Sequence, residues 1–129
     1  MNIVTSNAVY NMFQLSTVNL ADVSVSSQTG GNSLSDVIPI GKYLCICNAK
    51  TDTSKTTNFA FQLTADNAVE SSEGVVKPYQ GGTIGGGAGQ NIIYFESNGT
   101  TTKVKASIFN YGSGNAITYS FACYLLKLA

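Results

Sequence analysis

The stretch "KYLCICNAK", residues 42–50, limits what this chain can fold into more than any other. Its side chains alternate as a strand requires, with Tyr43, Cys45, Cys47 and Ala49 on one face and Leu44 and Ile46 on the other. A strand that is apolar on both faces has to be covered on both sides. One side needs a second sheet, and the other needs something beyond that sheet.

The same alternation recurs along the chain. "NFAFQLTA" sets Phe59, Phe61 and Leu63 against Asn58, Ala60, Gln62 and Thr64. "AITYSFACYLLKL" sets Ile117, Tyr119, Phe121, Cys123 and Leu125 against Thr118, Ser120 and Ala122. Towards its end it becomes apolar on both faces, at Tyr124, Leu125, Leu126 and Leu128. In "STVNLADVSV" the phase changes from Val18 and Leu20 to Val23 and Val25, which predicts a bulge or break near Asp22. "SSQTGGNSLSD" is rich in Ser, Gly and Asn and reads as a loop, as does "TDTSKTT". A long irregular region from Asp66 to Gln90 precedes the strand "NIIYFES". Asn98-Gly99 predicts a two-residue hairpin turn into "TTKVKASIFNY", because both residues tolerate positive φ. Short strands punctuated in this way predict an all-β fold, an antiparallel β-sandwich.

Length and composition bound the function. A chain of 129 residues, 43% apolar and 11% charged, has room for one folded domain. The charges balance at seven of each sign, every basic residue is Lys, and none is Arg. Nucleic-acid binding is therefore not expected, since phosphate recognition wants a basic patch and Arg forks. No apolar run approaches membrane-spanning length, so no membrane insertion is expected. The first residues do not have the pattern of a signal peptide. With no such signal, the odd count of Cys45, Cys47 and Cys123 predicts reduced, buried thiols in a protein made in the cytoplasm.

Without His there is no usual proton shuttle, no usual Ser-His-Asp triad and no imidazole ligand. Zinc wants four ligands, and three cysteines alone do not supply them. The run "GGTIGGGAGQ" is followed by a strand rather than by Lys-Ser or Lys-Thr and a helix, so it reads as a flexible loop and not as a phosphate cradle. The expectation is a protein that is not an enzyme and uses no metal or cofactor.

The opening of the chain departs from the β pattern. Thr5 or Ser6 can cap a short helix on whose face Ala8, Val9, Met12 and Phe13 fall. A helix of that length is marginal alone and needs partners. The segment "VTSNAVYNMF" resembles a linker of bacteriophage and prophage tail-fibre, or receptor-binding, proteins, matching at Val4, Thr5, Ser6, Ala8, Val9 and Tyr10. In addition, "GKYLCICNAK" and "YSFACYLLKL" resemble strands of the trimeric jelly-roll heads shared with complement-type and tumour-necrosis-factor-like domains.

The resemblance implies a helical linker or trimerisation segment over 1–17, followed by a jelly-roll head over 18–129. It implies a homotrimer, in which Val9, Met12 and Phe13 meet their counterparts. The protein would be carried on the virion and attach to a bacterial surface receptor, a glycan or a protein. Two other readings stand beside it: a non-binding capping or trimerisation module of a fibre, and a monomeric carbohydrate-binding or adhesin domain.

Binding is expected on loops, at Asp52–Thr57, Pro78–Gln90 and Asn110–Asn115. There Tyr79 and Tyr111 would stack on a sugar ring, while Gln80, Asn110 and Asn115 would offer amides to its hydroxyls. The alternative is that both tyrosines lie flat on their own domain.

Overall fold

The odd-numbered side chains of residues 43–49 point inward, and the rest of the architecture follows from the face opposite them. The structure is a computed structural model, and it describes residues 14–51, 57–69, 73–74, 80–83, 88–112, 114 and 116–129. Among these lie the strands β1 (Leu15–Val18), β2 (Val23–Val25), β3 (Gly30–Val37), β4 (Gly41–Thr51) and β5 (Thr57–Asp66). They are followed by β6 (Glu73–Gly74), β7 (Gln80–Thr83), β8 (Ala88–Ser97), β9 (Lys103–Asn110) and β10 (Ile117–Lys127). No helix occurs among the described residues.

The strands form two antiparallel sheets. The first is six-stranded, in the order β1-β10-β4-β8-β6, with β2 also pairing with β10. The second is four-stranded, in the order β3-β9-β5-β7. Consecutive long strands do not pair with each other: β3, β5 and β9 belong to one sheet, and β4, β8 and β10 to the other.

The inner faces pack together in a sandwich-like, all-β fold. Tyr43, Cys45, Cys47, Ile93, Phe95, Tyr119, Cys123 and Leu125 of the first sheet are buried, as are Phe59, Phe61, Leu63, Val104, Ala106 and Ile108 of the second. Aromatic rings bridge the two layers. Phe59 meets Tyr119 edge-on with centroids 5.0 Å apart, and Phe61 meets Phe121 at 6.0 Å. Asn91 donates across the layers to the Phe61 carbonyl at 2.9 Å, so a buried amide is satisfied where the interior could not hydrate it. Buried Tyr43 stacks on Phe95 and donates its hydroxyl to the Pro39 carbonyl at 2.8 Å.

The phase change around Asp22 has a simple origin. Val18 lies opposite Cys123, and Val23 and Val25 lie opposite Tyr119 and Ile117, so β1 and β2 run along the same edge of β10 with registers that differ by one residue. The break at 19–22 absorbs that residue and turns both Val18 and Val25 into the core.

Two expectations are modified. The region expected to be a loop, "SSQTGGNSLSD", contains β3, because its inward positions are Ser33 and Ser35 rather than apolar residues. Ser33 donates to the Ala21 carbonyl at 2.7 Å, and the Ser35 hydroxyl accepts from the Val104 N–H at 2.9 Å, so both are buried without an unmet hydroxyl. Asn98-Gly99 makes no hairpin: β8 pairs with β4 and β6, and β9 pairs with β3 and β5. The segment instead crosses between sheets through a turn at Asn98, whose Oδ1 accepts the N–H groups of Thr100 and Thr101 at 2.8 Å and of Thr102 at 3.2 Å. Gly99 has φ of 76°, but Asn98, also expected at positive φ, does not take it. The expected helix, with Val9, Met12 and Phe13, lies outside the described residues.

Candidate functional site

The outer faces of the two sheets differ sharply in chemistry, and the difference is built by register. On β4 the outward residues are the even-numbered ones. Leu44 lies between Leu126 of β10 and Tyr94 of β8, with Leu15 of β1 beyond Leu126. In the next row Ile46 lies between Tyr124 and Ile92. Leu15, Tyr94 and Tyr124 are exposed, while Leu44, Ile46, Ile92 and Leu126 are half-buried by one another. Charges stand at the two ends of this patch, with Lys42 opposite Glu96 at one end and Lys50 at the other. An apolar centre with a charged rim is the anatomy of a surface that excludes water against a partner.

The outer face of the four-stranded sheet is mostly polar by contrast, although it also carries exposed Leu34 opposite Lys105. It presents Asn32, Gln62, Thr64, Lys105 and Ser107, with Lys105 and Asp66 forming an ion pair at 3.6 Å. The aromatic residue on this face is Phe109, which Tyr111 joins just past the end of β9. Their ring centroids lie 4.6 Å apart, inclined at 49°. The Tyr111 backbone is held at both ends, since its N–H donates to the Asn58 carbonyl at 2.9 Å and its carbonyl accepts from Gln28 Nε2 at 2.8 Å. The side chain is thus exposed on a fixed stalk.

The expected site residues divide. Tyr111 is exposed at 45%. Asn110 faces the other way. It is 1% exposed, its Nδ2 donates to the Val25 carbonyl at 3.0 Å, and its Oδ1 accepts from the Gly112 N–H at 2.8 Å. Its amide is consumed in holding the strand end to β2, so it offers nothing to an external ligand. Gln80 opens β7 at the edge of the same four-stranded sheet, opposite Ala60. Tyr79 and Asn115 lie outside the described residues.

The three cysteines meet in the core. Cys123 stands opposite Cys47 in the ladder, and its Sγ lies 3.4 Å from that of Cys45. All three are free and buried. Hydrogen bonding to Cys123, and then burial, push Cys45 and Cys47 above the ordinary thiol range, which keeps them protonated. Among the described residues, no three His, Cys, Asp or Glu side chains are placed to hold a metal ion.

Sequence reasoning had marked Leu44, Ile46, Tyr124 and Leu126 as apolar on an outward face. It did not find Leu15, Ile92 and Tyr94, whose membership depends on which strands neighbour β4 and β10. Phe109 was also missed, because an isolated strand aromatic reads as core until its face is known. Comparison with known proteins matched no family model, no curated protein and no solved structure.

Proposed function

We propose that the chain is the attachment head of a bacteriophage tail fibre, a homotrimeric jelly roll that presents its polar outer surface to a bacterial receptor. The observation that carries this reading is the apolar outer face of β1, β10, β4 and β8, set against the polar outer face of the other sheet. A sandwich that stays monomeric gains nothing from two rows of Leu, Ile and Tyr on one outer face. Copies of the same chain cover them naturally, since a closed symmetric ring repeats one contact and stops.

The jelly-roll type is supported by the strand order. The two four-strand paths β1-β10-β4-β8 and β3-β9-β5-β7 interleave, and each long strand is followed by one in the opposite sheet. Three-fold rather than two-fold assembly follows from the resemblance of "VTSNAVYNMF" to tail-fibre linkers. In that arrangement the two functions separate by face: one sheet joins the copies, and the other sheet with its loops meets the receptor. Each weak site is presented three times, so modest affinity per site gives firm attachment.

The test is the solution mass of the wild type and of Ile46→Lys and Tyr124→Lys, by light scattering at micromolar concentration. The wild type is expected at three times the chain mass. Each variant is expected at the chain mass with an unchanged β-type circular dichroism spectrum, because both positions lie on the outer face. A wild type that is monomeric, or variants that stay trimeric, would sink the assembly. Adsorption of the purified protein to bacterial cells tests the attachment half separately.

A further inference from the structure

The polar outer face contains an open groove of about 440 Å³, running across β3, β9 and β5. That is within the usual size range of small-molecule sites. Two cross-strand rows make its floor. One is Gly30–Phe109–Ala60 and the other is Asn32–Ser107–Gln62, each centred on β9. Cross-strand neighbours stand about 4.8 Å apart, so the rows form an apolar strip beside a strip of amide, hydroxyl and amide.

We propose that this groove binds an uncharged saccharide, with a sugar ring lying on Phe109 and its hydroxyls bonded by Asn32, Ser107 and Gln62. The small neighbours of Phe109 are central to the argument. Gly30 and Ala60 flank the ring across the strands, so no tall side chain covers it from β3 or β5, while Tyr111 packs against it along β9. A Cβ at Gly30 would meet Phe109 Cδ2 at 3.8 Å and the Ile108 carbonyl oxygen at 3.5 Å, which is ordinary contact, so the open space there is not forced by the backbone. Among the described residues, no hydrogen bond within the protein engages the side chains of Asn32, Ser107 or Gln62. Amides and a hydroxyl both donate and accept, as sugar hydroxyls do.

The charge of the ligand follows from the lining. Among the described residues no lining residue is ionisable, and the nearest charge on β9, Lys105, is paired with Asp66. Within that lining an acidic sugar meets no cation and a cationic ligand no carboxylate, and Lys103 lies a further row away along β9, beyond Lys105. Tyr111 extends the aromatic strip past the end of the groove, which suits a chain of at least two sugar units over a single ring. A cell surface is where such a ligand would be met, and to that extent the groove rests on the attachment reading. It does not require the trimer.

The experiment is a titration of the labelled full chain, followed by amide nuclear magnetic resonance. The probes are methyl glucoside, methyl galactoside, N-acetylglucosamine and the disaccharide maltose, with N-acetylneuraminic acid as the charged probe. Saturable millimolar shifts are expected for at least one neutral probe, centred on residues 30–32, 60–62 and 107–109. Phe109→Leu keeps bulk but removes the π face, and is expected to weaken binding about tenfold. Gly30→Leu fills the groove from a position with room for it, and is expected to abolish the shifts with the fold retained.

The groove is overturned if no neutral probe saturates, if shifts centre elsewhere, if the acidic probe binds most tightly, or if Gly30→Leu binds as wild type does. A chain that shows the shifts yet does not adsorb to cells keeps the groove and overturns attachment. One that adsorbs equally well as Gly30→Leu keeps attachment and overturns the groove.

Discussion

Asn110 shows how a polar residue at a strand end is committed to the fold rather than to a ligand. Its side chain closes two hydrogen bonds, one to the Val25 carbonyl and one from the Gly112 N–H, at a position with almost no solvent access. Asn110→Ala leaves both backbone groups without their partner, and a buried unmet group costs on the order of 1–3 kcal/mol. The variant is expected to lose about 2–3 kcal/mol of stability, read from the urea midpoint, with no change in sugar response. The thiols belong to the same scale. Cys45, Cys47 and Cys123 are buried, and hydrogen bonding and burial hold Cys45 and Cys47 protonated. Native protein at neutral pH is therefore expected to react with iodoacetamide at neither Cys45 nor Cys47, and denatured protein at all three cysteines, as counted by mass spectrometry.

At the level of the strand, two adjacent glycines behave oppositely. A Cβ at Gly31 would come within 2.9 Å of Val25 Cγ2 and 3.0 Å of Val23 Cγ2, because β2 packs directly over β3 there. Gly31→Ala is expected to lower stability by about 1–3 kcal/mol, while Gly30→Ala leaves it nearly unchanged, both measured by thermal unfolding. Equal effects would show that β2 does not pack as described.

The same strands show what the sequence can and cannot reveal. Where inward positions are Phe59, Phe61 and Leu63, or Tyr119, Cys123 and Leu125, alternation alone identifies strand and face. It fails for β3, whose inward residues are Ser33 and Ser35, since hydroxyls satisfied by distant backbone groups leave no periodic apolar signal. It fails again at Asn98-Gly99, where Gly99 but not Asn98 takes positive φ and the partner of β9 is decided by tertiary packing. The candidate site divides along the same line. Tyr111 was legible as an exposed aromatic, whereas the Asn32–Ser107–Gln62 row exists only once three strands distant in sequence are aligned.

For the whole molecule, the contrast between outer faces sets how assembly should respond to solvent. The centre of the apolar face carries Leu44, Ile46, Ile92 and Tyr124, with charges kept to the rim. Burial of such a surface does not weaken with screening, so the proposed trimer is expected to keep its mass as sodium chloride is raised to molar levels, by sedimentation. Dissociation in salt would mean that ion pairs hold the copies together.

The position of β10 has a consequence for how the protein is made. It is made after every other described strand, yet it lies inside its sheet, with β1 and β2 on one side and β4 on the other. Until it leaves the ribosome, β4 shows a bare edge carrying Leu44, Cys45, Ile46 and Cys47, the kind of template that recruits other chains. A nascent chain halted before Ile117 is thus expected to aggregate or to be held by chaperones, and release of the remaining residues to make it soluble. Arrested-translation pelleting at successive lengths would show the change between residues 117 and 127, and a soluble chain lacking β10 would contradict it.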